Sequence, residues 1–240
     1  CSNSQIAMQA VILAAGKGTR MGIKDAPKCL LKIGNKTIIE HQIDYLRNIG
    51  CKKILVVTGY NSNKIKNTLG NSAEYIFNKN FENSNNMYSL WEAQNFIDDE
   101  FICIYGDLFF HKKILEKCVL SEGNIVLAVE RNLRTETMKV KIENGKIAQV
   151  NKEIDSKNAD GNFIGMAKFS KNSKKYLFQS IKELMKKGNE DAYYTLAIEN
   201  LIKQEKIVNF IETEGLPWLD IDTNEEFDNA RKINKEFGDW

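Results

Sequence analysis

The fold is decided near the start of the chain, by the stretch Ala10-Val11-Ile12-Leu13-Ala14-Ala15-Gly16-Lys17-Gly18-Thr19-Arg20-Met21. Its apolar part is continuous and short, which predicts one strand that is covered on both faces of a sheet. The two glycines leave backbone N–H groups open to an anion, because no Cβ stands in the way. Arg20 and Lys28 add positive charge near the same turn. The stretch therefore predicts a strand and a triphosphate-binding loop, although a plain connecting turn that binds nothing has similar glycines.

Two other glycine loops are excluded by their spacing. The dinucleotide fingerprint G-x-G-x-x-G fails because the glycine after Gly18 is Gly22, one position too late. The next predicted strand ends at Thr58-Gly59 without the acidic residue that this fingerprint also needs. The P-loop pattern G-x-x-x-x-G-K-[ST] does not occur in the chain. The loop therefore matches neither of these two nucleotide-binding patterns.

The same residues carry a resemblance to a known family. Leu13-Ala14-Ala15-Gly16-x-Gly18-Thr19-Arg20-Met21, followed by Pro27-Lys28, resembles the signature of nucleotidyltransferases that activate sugar phosphates and similar phosphate esters. The resemblance implies a Rossmann-like α/β domain with a mixed, mostly parallel sheet and helices on both faces. It implies binding of a nucleoside triphosphate with Mg²⁺, transfer of the nucleotide to a phosphorylated acceptor, and release of pyrophosphate. It further implies catalytic roles for Arg20 and Lys28, and nucleotide contacts from Leu13, Ala14, Ala15, Gly16, Gly18 and Thr19.

Composition sets limits on the class of protein. The chain has 240 residues, of which 42% are hydrophobic, enough for one α/β domain. We expect this domain to span residues 8–240, after a tag or leader at residues 1–7. The 34 basic and 32 acidic residues leave a net charge of +2, which argues against a nucleic-acid partner. No apolar run approaches the roughly 18 residues of a membrane span, so no membrane partner is expected. Five cysteines without C-x-x-C favour reduced thiols and a cytoplasmic location.

Further elements follow from local signals. Thr37 and Glu40 form a capping box, which predicts a helix that Gly50 ends. Strands are predicted at 53–57 and 74–77 with a helix between them, and this alternation indicates a parallel sheet. Cys29–Ile33 is predicted to be a short edge element. Asn144-Gly145 is the favoured two-residue hairpin turn between the strands 138–142 and 146–150.

The stretch Asn78–Leu90 is rich in side-chain amides. Amides cap helices and fill loops, so a capped helix start is one interpretation. The other is recognition of a base, since the cytosine edge presents both a donor and an acceptor that amides can match. Asn85-Asn86-x-Tyr88-Ser89-Leu90 resembles the nucleotide-side loop of the phosphocholine cytidylyltransferase branch of the family. This resemblance implies CTP, with contacts from Asn85, Asn86 and Ser89.

Two carboxylate motifs predict a metal site. Residues 100–107 form an apolar strand that ends at Gly106-Asp107, and ligands bind at the carboxyl ends of parallel strands. Mg²⁺ prefers carboxylate and phosphate oxygens. In the family the position of Asp107 carries a metal ligand, and Gly106 is expected to contact the nucleotide. Leu216–Thr223 resembles the element whose final Asp is the second metal ligand, which maps to Asp222, with Asp220 in support.

The predicted acceptor site begins at the hairpin. In the family a second phosphate-binding lysine follows such a hairpin, so the resemblance implies a catalytic role for Lys152, and an ordinary surface lysine is the alternative. Lys139 is a candidate for an acidic group of the acceptor. Gly165 is expected to let the acceptor lie close to the backbone.

A second part of the acceptor site is predicted at Glu190–Tyr194, which is expected to open a helix. Glu190, Asp191 and Tyr194 suit an ammonium group, since carboxylates and aromatic rings attract cations. A charged helix start with core aromatic residues is the alternative interpretation.

The resemblance also narrows the choice of acceptor. The branch with Asn-Asn-x-Tyr-Ser-Leu includes enzymes for phosphocholine, 2-aminoethylphosphonate and phosphoglutamine, and it serves surface-polysaccharide (capsule) or lipid modification. Met138-Lys139-Val140 looks like the phosphonate and phosphoglutamine types, and of the three acceptors phosphoglutamine alone carries a carboxylate for Lys139. We therefore expect phosphoglutamine. The alternatives are a sugar-1-phosphate nucleotidyltransferase that uses UTP or dTTP and a regulatory nucleotide-binding module without catalysis. A homodimer is compatible with the resemblance.

Overall fold

A computed structural model describes residues 8–18, 26–134 and 137–237 of the chain. Residues 1–7, which we expect to be a tag or leader, and the site candidates Thr19 and Arg20 lie outside these ranges. Within them, the strands are β1 (Gln9–Ala14), β2 (Lys32–Ile33), β3 (Lys36–Thr37), β4 (Lys53–Thr58), β5 (Glu74–Phe77), β6 (Phe101–Tyr105), β7 (Leu108–Phe110), β8 (Ile125–Glu130), β9 (Lys139–Glu143), β10 (Lys146–Asn151), β11 (Gly161–Phe169), β12 (Asn209–Glu212) and β13 (Trp218–Asp220). The α-helices are α1 (Ile38–Asn48), α2 (Ser62–Leu69), α3 (Asn86–Glu92), α4 (Lys112–Leu120), α5 (Lys171–Lys186), α6 (Thr195–Lys203) and α7 (Asn224–Phe237).

The central sheet is mixed. Its order is β10-β9-β11-β6-β1-β4-β5, with β8 paired to β11 and β12 paired to β8. The strands β6, β1, β4 and β5 are parallel, whereas β9, β10 and β11 pair in antiparallel fashion. In the parallel half, β1, β4 and β6 therefore end at the same edge, where the predicted ligand-binding loops follow them.

Helices cover both faces of this sheet, as the sequence predicts. Both faces of β1 are buried, which explains its continuous apolar run. Ala10 and Ile12 face one core, while Val11 and Leu13 face the other. Helices α1, α2, α4 and α7 contribute to the first core, and α3, α5 and α6 to the second. The predicted Rossmann-like α/β class with helices on both faces is confirmed.

Several local signals act as predicted. The Thr37 side chain accepts a hydrogen bond from the Glu40 backbone, and Glu40 accepts one from the Thr37 backbone, so the capping box opens α1. Gly50, at φ +89°, ends this helix, with its N–H bonded to the Arg47 carbonyl. Asn144 and Gly145 both have positive φ, which is the two-residue turn that joins β9 and β10.

Two element predictions are wrong. Residues 29–33 do not form one edge element: a 3₁₀ helix spans Lys28–Leu30, and β2 pairs with β3 in a separate two-stranded ribbon. The helix expected to open at Glu190 begins at Thr195 instead. The residues before it do not join the helix, because the carbonyls of Glu190 and Ala192 accept hydrogen bonds from the backbone N–H groups of Asn85 and Met87 at the start of α3.

None of the helices that the structure describes combines the length and the apolar character needed to cross a membrane.

Candidate active site

One cavity of about 330 Å³ lies at the carboxyl ends of β1 and β6. We describe its lining as two walls and a charged cluster. The glycine-loop wall consists of Leu13, Ala14, Ala15, Gly16, Gly18, Asn85, Asn86 and Ser89. The hairpin wall consists of Thr137, Met138, Lys152, Phe163, Ile164 and Tyr193. The charged cluster consists of Lys28, Asp107, Asp220 and Asp222.

Gly18 shapes the glycine-loop wall. Its φ is +62°, and a Cβ there would lie 2.5 Å from Cγ of Lys28. Any other residue would collide with the lysine stem, so the glycine lets Lys28 reach the carboxylates across the loop. The predicted neighbours Leu13, Ala14, Ala15 and Gly16 line the same cavity, and so does Gly106 at the end of β6.

The amide loop completes this wall through side-chain hydrogen bonds. The buried Asn78 side chain donates to the hydroxyls of Ser84 (3.2 Å) and Ser89 (3.0 Å). The Asn85 side chain accepts from the Asn86 backbone at the start of α3, and the Asn86 side chain accepts from the Tyr194 backbone at 2.8 Å. The amides therefore do both: their hydrogen bonds hold the loop and the start of α3 in place, and the same residues line the cavity.

Backbone pairing assembles the charged cluster. Strand β13 pairs with β7, and the N–H of Ile221 donates to the Asp107 carbonyl at 3.1 Å. Oxygens of Asp107, Asp220 and Asp222 all lie within 4.8 Å of one another. The amino group of Lys28 contacts Asp107 at 3.5 Å and donates a short hydrogen bond to Asp222. Two motifs far apart in sequence thus form one cluster.

Among the residues that the structure describes, three carboxylates of this cluster face one lysine. Burial raises the pKa of Asp107, and Lys28 opposes that rise. Burial also raises the pKa of Asp220 well above its usual range, and the neighbouring Asp107 and Asp222 add to the effect. Burial alone would lower the pKa of Lys28, but the carboxylates outweigh it and raise that pKa. An additional cation is therefore favoured at this position.

The donor set fits a hard divalent cation. Three carboxylates supply only oxygen ligands, and burial together with repulsion between neighbouring carboxylates raises the pKa of Asp107 and of Asp220. Such a set suits a cation that also binds phosphate oxygens. Asp220 thus shares the cluster with the predicted ligands Asp107 and Asp222 and is more than a supporting residue.

On the hairpin wall, a cation covers an aromatic ring. The amino group of Lys152 lies 4.4 Å from the centre of the Tyr193 ring and donates to the Tyr193 hydroxyl at 3.1 Å. Lys152 is an exposed residue that also lines the cavity, next to an aromatic side chain.

A second such pair lies beside the charged cluster. The Arg134 guanidinium stacks 3.8 Å from the centre of the Trp218 ring and donates to the Trp218 carbonyl. Trp218 lines the cavity, and its indole N–H donates to Glu130, which also accepts from Thr213. Burial would raise the pKa of Glu130, but the hydrogen bonds that it accepts lower it, so Glu130 stays ionised and fixes the tryptophan.

Five predicted acceptor residues do not line the cavity: Lys139, Gly165, Glu190, Asp191 and Tyr194. Tyr194 is 0% exposed and packs in the core, because the chain turns inward just before α6. Lys139 is a buried residue of β9. We therefore withdraw these five residues as direct acceptor contacts.

Two of the corrections have a clear structural cause. At Gly165, where φ is +94°, a Cβ would lie 2.5 Å from the Tyr105 ring, so the glycine makes room for this ring and not for a ligand. The Glu190 carbonyl accepts from the Asn85 backbone, and its carboxylate accepts from the Asn80 side chain at 3.3 Å. Glu190 therefore supports the amide loop from outside the cavity.

Several lining residues are not predicted singly as contacts: Asn78, Phe81, Tyr105, Thr137, Met138, Phe163, Tyr193 and Trp218. Of these, Asn78, Phe81, Met138, Tyr193 and Trp218 lie in stretches that carry sequence predictions. Tyr105 ends the same strand that precedes Asp107, so the rule for strand ends could have identified it. Trp218 lies in the motif of Asp220. Phe163 and Thr137 carried no local signal, because tertiary packing alone brings them to the cavity.

Comparison with known proteins agrees with this geometry. The model of the MobA-like NTP transferase domain family matches residues 10–157. The CTP:phosphoglutamine cytidylyltransferase of Campylobacter jejuni is 26% identical over 250 aligned positions, which cover 90% of this chain and 96% of that protein.

One further relative and one solved structure are also similar to this chain. The bifunctional IPC transferase and DIPP synthase of Aquifex aeolicus is 31% identical over 233 aligned positions, which cover 93% of this chain. The chain spans only 51% of the length of that relative. The solved structure of the inositol-1-phosphate CTP transferase from T. maritima has a TM-score of 0.80 and 20% identity, and the match covers 96% of this chain and 98% of that one. At this identity the likeness shows the fold alone.

Proposed function

The chain belongs to the family of MobA-like NTP transferase domains and is a nucleotidyltransferase, and from this premise we propose that it transfers CMP from CTP to a small phosphorylated acceptor. One observation carries the proposal: a glycine loop, an amide loop and a carboxylate–lysine cluster line the same cavity. A cavity that only bound a nucleotide would not need three carboxylates beside the lysine. The arrangement supports in-line transfer of a nucleotidyl group.

The proposed reaction is one displacement at phosphorus. An oxygen of the acceptor phosphate attacks the α-phosphorus of CTP and forms a new P–O bond. The bond between the α-phosphorus and the oxygen that bridges to the β-phosphorus breaks, and pyrophosphate leaves with both electrons of that bond. An ionised phosphate needs no general base. The chain's contribution is positioning and charge neutralisation by Lys28 and Lys152, together with Arg20, which lies outside the described residues.

Mg²⁺ is the cation that we propose for the charged cluster. Asp107, Asp220 and Asp222 would hold it through carboxylate oxygens. When bound, it supplies positive charge for the phosphate oxygens of the triphosphate. Lys28 contacts Asp107 and Asp222 in the same cluster. Two groups, the cation and the lysine, would then neutralise the negative charge of the triphosphate.

The choice of CTP rests on the amide loop. Asn78, Asn85 and Asn86 face the cavity, and their amides provide both donors and acceptors to a base edge. The relative from Campylobacter jejuni, which this chain covers almost completely, is named for CTP. UTP and dTTP differ from CTP at this edge and remain the nucleotides to exclude.

The acceptor that we propose carries a negative charge in addition to its attacking phosphate, with phosphoglutamine as the best candidate. A quaternary ammonium group needs an open aromatic face. The Tyr193 ring is already covered by Lys152, and the Trp218 ring by Arg134. Each ring is thus covered by one of the chain's own cations: Lys152 lines the cavity, and Arg134 lies behind the lining residue Trp218. This arrangement favours a carboxylate and disfavours phosphocholine. 2-Aminoethylphosphonate, which lacks the carboxylate, is the next candidate.

Pyrophosphate release tests the reaction. The enzyme is incubated with Mg²⁺, each of the four common NTPs, and phosphoglutamine, 2-aminoethylphosphonate, phosphocholine, inositol phosphate or glucose 1-phosphate. We expect release with CTP and strongest release with phosphoglutamine. Release with UTP or dTTP and glucose 1-phosphate would contradict the proposal and favour a sugar-1-phosphate nucleotidyltransferase. CTP binding without release from any acceptor would favour a regulatory module.

The wider setting stays a prediction. This applies to surface-polysaccharide, capsule or lipid modification, to the cytoplasmic location, to the absence of nucleic-acid and membrane partners, to the single domain at 8–240, and to a homodimer.

A further inference from the structure

Tyr105 occupies an unusual position in the cavity. It is the last residue of β6, two positions before Asp107, and it lines the cavity. Its ring packs edge-on against Phe163, with ring centres 5.9 Å apart, and against Tyr194 at 5.8 Å. Gly165 provides the space for this ring. The ring is therefore held in place by three separate contacts.

The hydroxyl at the end of this ring lacks a partner. Its oxygen is buried and makes no hydrogen bond to any residue that the structure describes. Burial raises the pKa of this hydroxyl well above its usual range, and the nearby Asn86 side chain opposes that rise. A buried hydroxyl without a partner costs stability. Tyr194 shares this feature, but Tyr105 is the one of the two that lines the cavity.

The surroundings of the hydroxyl point toward a ligand. The side chains that act on it electrostatically are Asn86, Cys103, Asp220 and Tyr193, and all of these except the core residue Cys103 line the cavity. Phe163 and Tyr193 belong to the hairpin wall, which we assign to the acceptor. A tyrosine hydroxyl is protonated at neutral pH and donates to an oxyanion.

We propose that the Tyr105 hydroxyl donates a hydrogen bond to an oxyanion oxygen of the bound acceptor and thereby sets specificity for it. The proposal rests on the proposed function, because it requires a phosphorylated acceptor on the hairpin wall. The shared chemistry is an oxyanion, which is either the phosphoryl group or a carboxylate of the acceptor.

Tyr105→Phe tests the proposal, and Tyr194→Phe is its matched control. The Tyr194 hydroxyl is also buried without a partner among the described residues, but Tyr194 does not line the cavity. For Tyr105→Phe we expect the KM for the acceptor to rise about tenfold or more, with the KM for CTP within about twofold of wild type. Its Tm should not fall, whereas Tyr194→Phe should leave both KM values unchanged.

Two acceptors separate the two oxyanions. A loss with both phosphoglutamine and 2-aminoethylphosphonate assigns the contact to the phosphoryl group. A loss with phosphoglutamine alone assigns it to the carboxylate.

Other outcomes would overturn the proposal. A lower Tm with an unchanged acceptor KM would mean that the hydroxyl has a structural partner. A rise in the KM for CTP alone would assign it to the nucleotide, and equal effects of both variants would mean a packing effect.

Failure of the proposed function is seen separately, as wild-type enzyme that turns over no acceptor. Thermal stabilisation by each acceptor then replaces KM as the readout. Stabilisation of wild type and of Tyr194→Phe, but not of Tyr105→Phe, would still support the contact. Stabilisation of all three alike, or of none, would contradict it.

Discussion

The two walls of the cavity differ in how they are built. Every residue of the glycine-loop wall comes from two short stretches, 13–18 and 85–89, and backbone and amide groups dominate it. The hairpin wall gathers side chains from residues 137–193, and aromatic rings and methionine dominate it. Local sequence therefore specifies the wall that we assign to the nucleotide. Tertiary packing specifies the wall that we assign to the acceptor.

Lys28→Ala should have the largest effect, because it removes the cation that Gly18 admits between the walls. We expect turnover with Mg²⁺ to fall about 100- to 1000-fold, the usual cost of a lost charge-stabilising group. The loss of stability should be far smaller than the loss of activity. Lys53→Ala is the control, since Lys53 pairs with Asp98 at the start of β4 and does not line the cavity. Near-normal turnover of Lys28→Ala would remove this residue from the mechanism.

Asp220→Asn should separate stability from activity in the charged cluster. Because the pKa of Asp220 is raised in the folded protein, the folded state binds more protons than the unfolded state between the two pKa values. Without divalent cations, wild-type stability should therefore fall as pH rises through this range. The variant should lose part of that slope, gain thermal stability at neutral pH, and respond less to Mg²⁺.

Thermal unfolding with EDTA and with Mg²⁺ across a pH series measures this difference, and a kinetic assay should show about a tenfold or greater loss of activity. Asp228→Asn, on the surface helix α7, is the control. Parallel stability curves for wild type and Asp220→Asn would contradict the assigned imbalance of charge.

Gly165→Ala and Gly16→Ala compare two glycines that the sequence alone presents as ligand contacts. Gly165→Ala should lower the free energy of unfolding by about 2 kcal/mol, since φ is +94° and the added Cβ meets the Tyr105 ring. Gly16→Ala should leave stability nearly unchanged, because an added Cβ meets nothing within 4 Å. It should weaken nucleotide binding instead. Denaturant unfolding and CTP titration measure the two effects, and a stable Gly165→Ala would contradict the packing role.

Arg134→Met should have the smallest of these effects, and it should affect binding of the acceptor but not of the nucleotide. Removing the cation over Trp218 should raise the KM for phosphoglutamine about threefold to tenfold and leave the KM for CTP unchanged. Lys206→Met, which removes a cation 5.2 Å from the Tyr176 ring away from the cavity, is the control. An improved KM for phosphocholine would be consistent with an opened aromatic face. Unchanged kinetics with every acceptor would separate Arg134 from acceptor recognition.

The same contrast explains what the sequence could predict. The doubly buried β1, the capping box at Thr37 and the Asn144-Gly145 turn depend on neighbouring residues, so their patterns suffice. Asp107 and Asp222 could be predicted from strand ends and a resemblance, although only the β7–β13 pairing shows that they meet.

The structure places two of the predicted acceptor residues, Tyr194 and Gly165, away from the cavity for a physical reason. Tyr194 looks like a ligand contact in a charged, aromatic stretch, but its neighbour Tyr193 lines the cavity and Tyr194 packs in the core. Because α6 begins only at Thr195, a helical pattern does not decide which of the two faces inward. The role of Gly165 depends on Tyr105, a contact across β11 and β6 that no local pattern contains.

Product analysis tests the central claim most directly. The enzyme is incubated with CTP, Mg²⁺ and phosphoglutamine or phosphocholine, and the products are identified by mass spectrometry and ³¹P NMR. The account predicts one product with the mass of CTP plus phosphoglutamine minus pyrophosphate, a new P–O–P linkage, and much less product from phosphocholine. Equal or greater product from phosphocholine would contradict the anionic acceptor, and CMP without any joined product would contradict the transfer reaction itself.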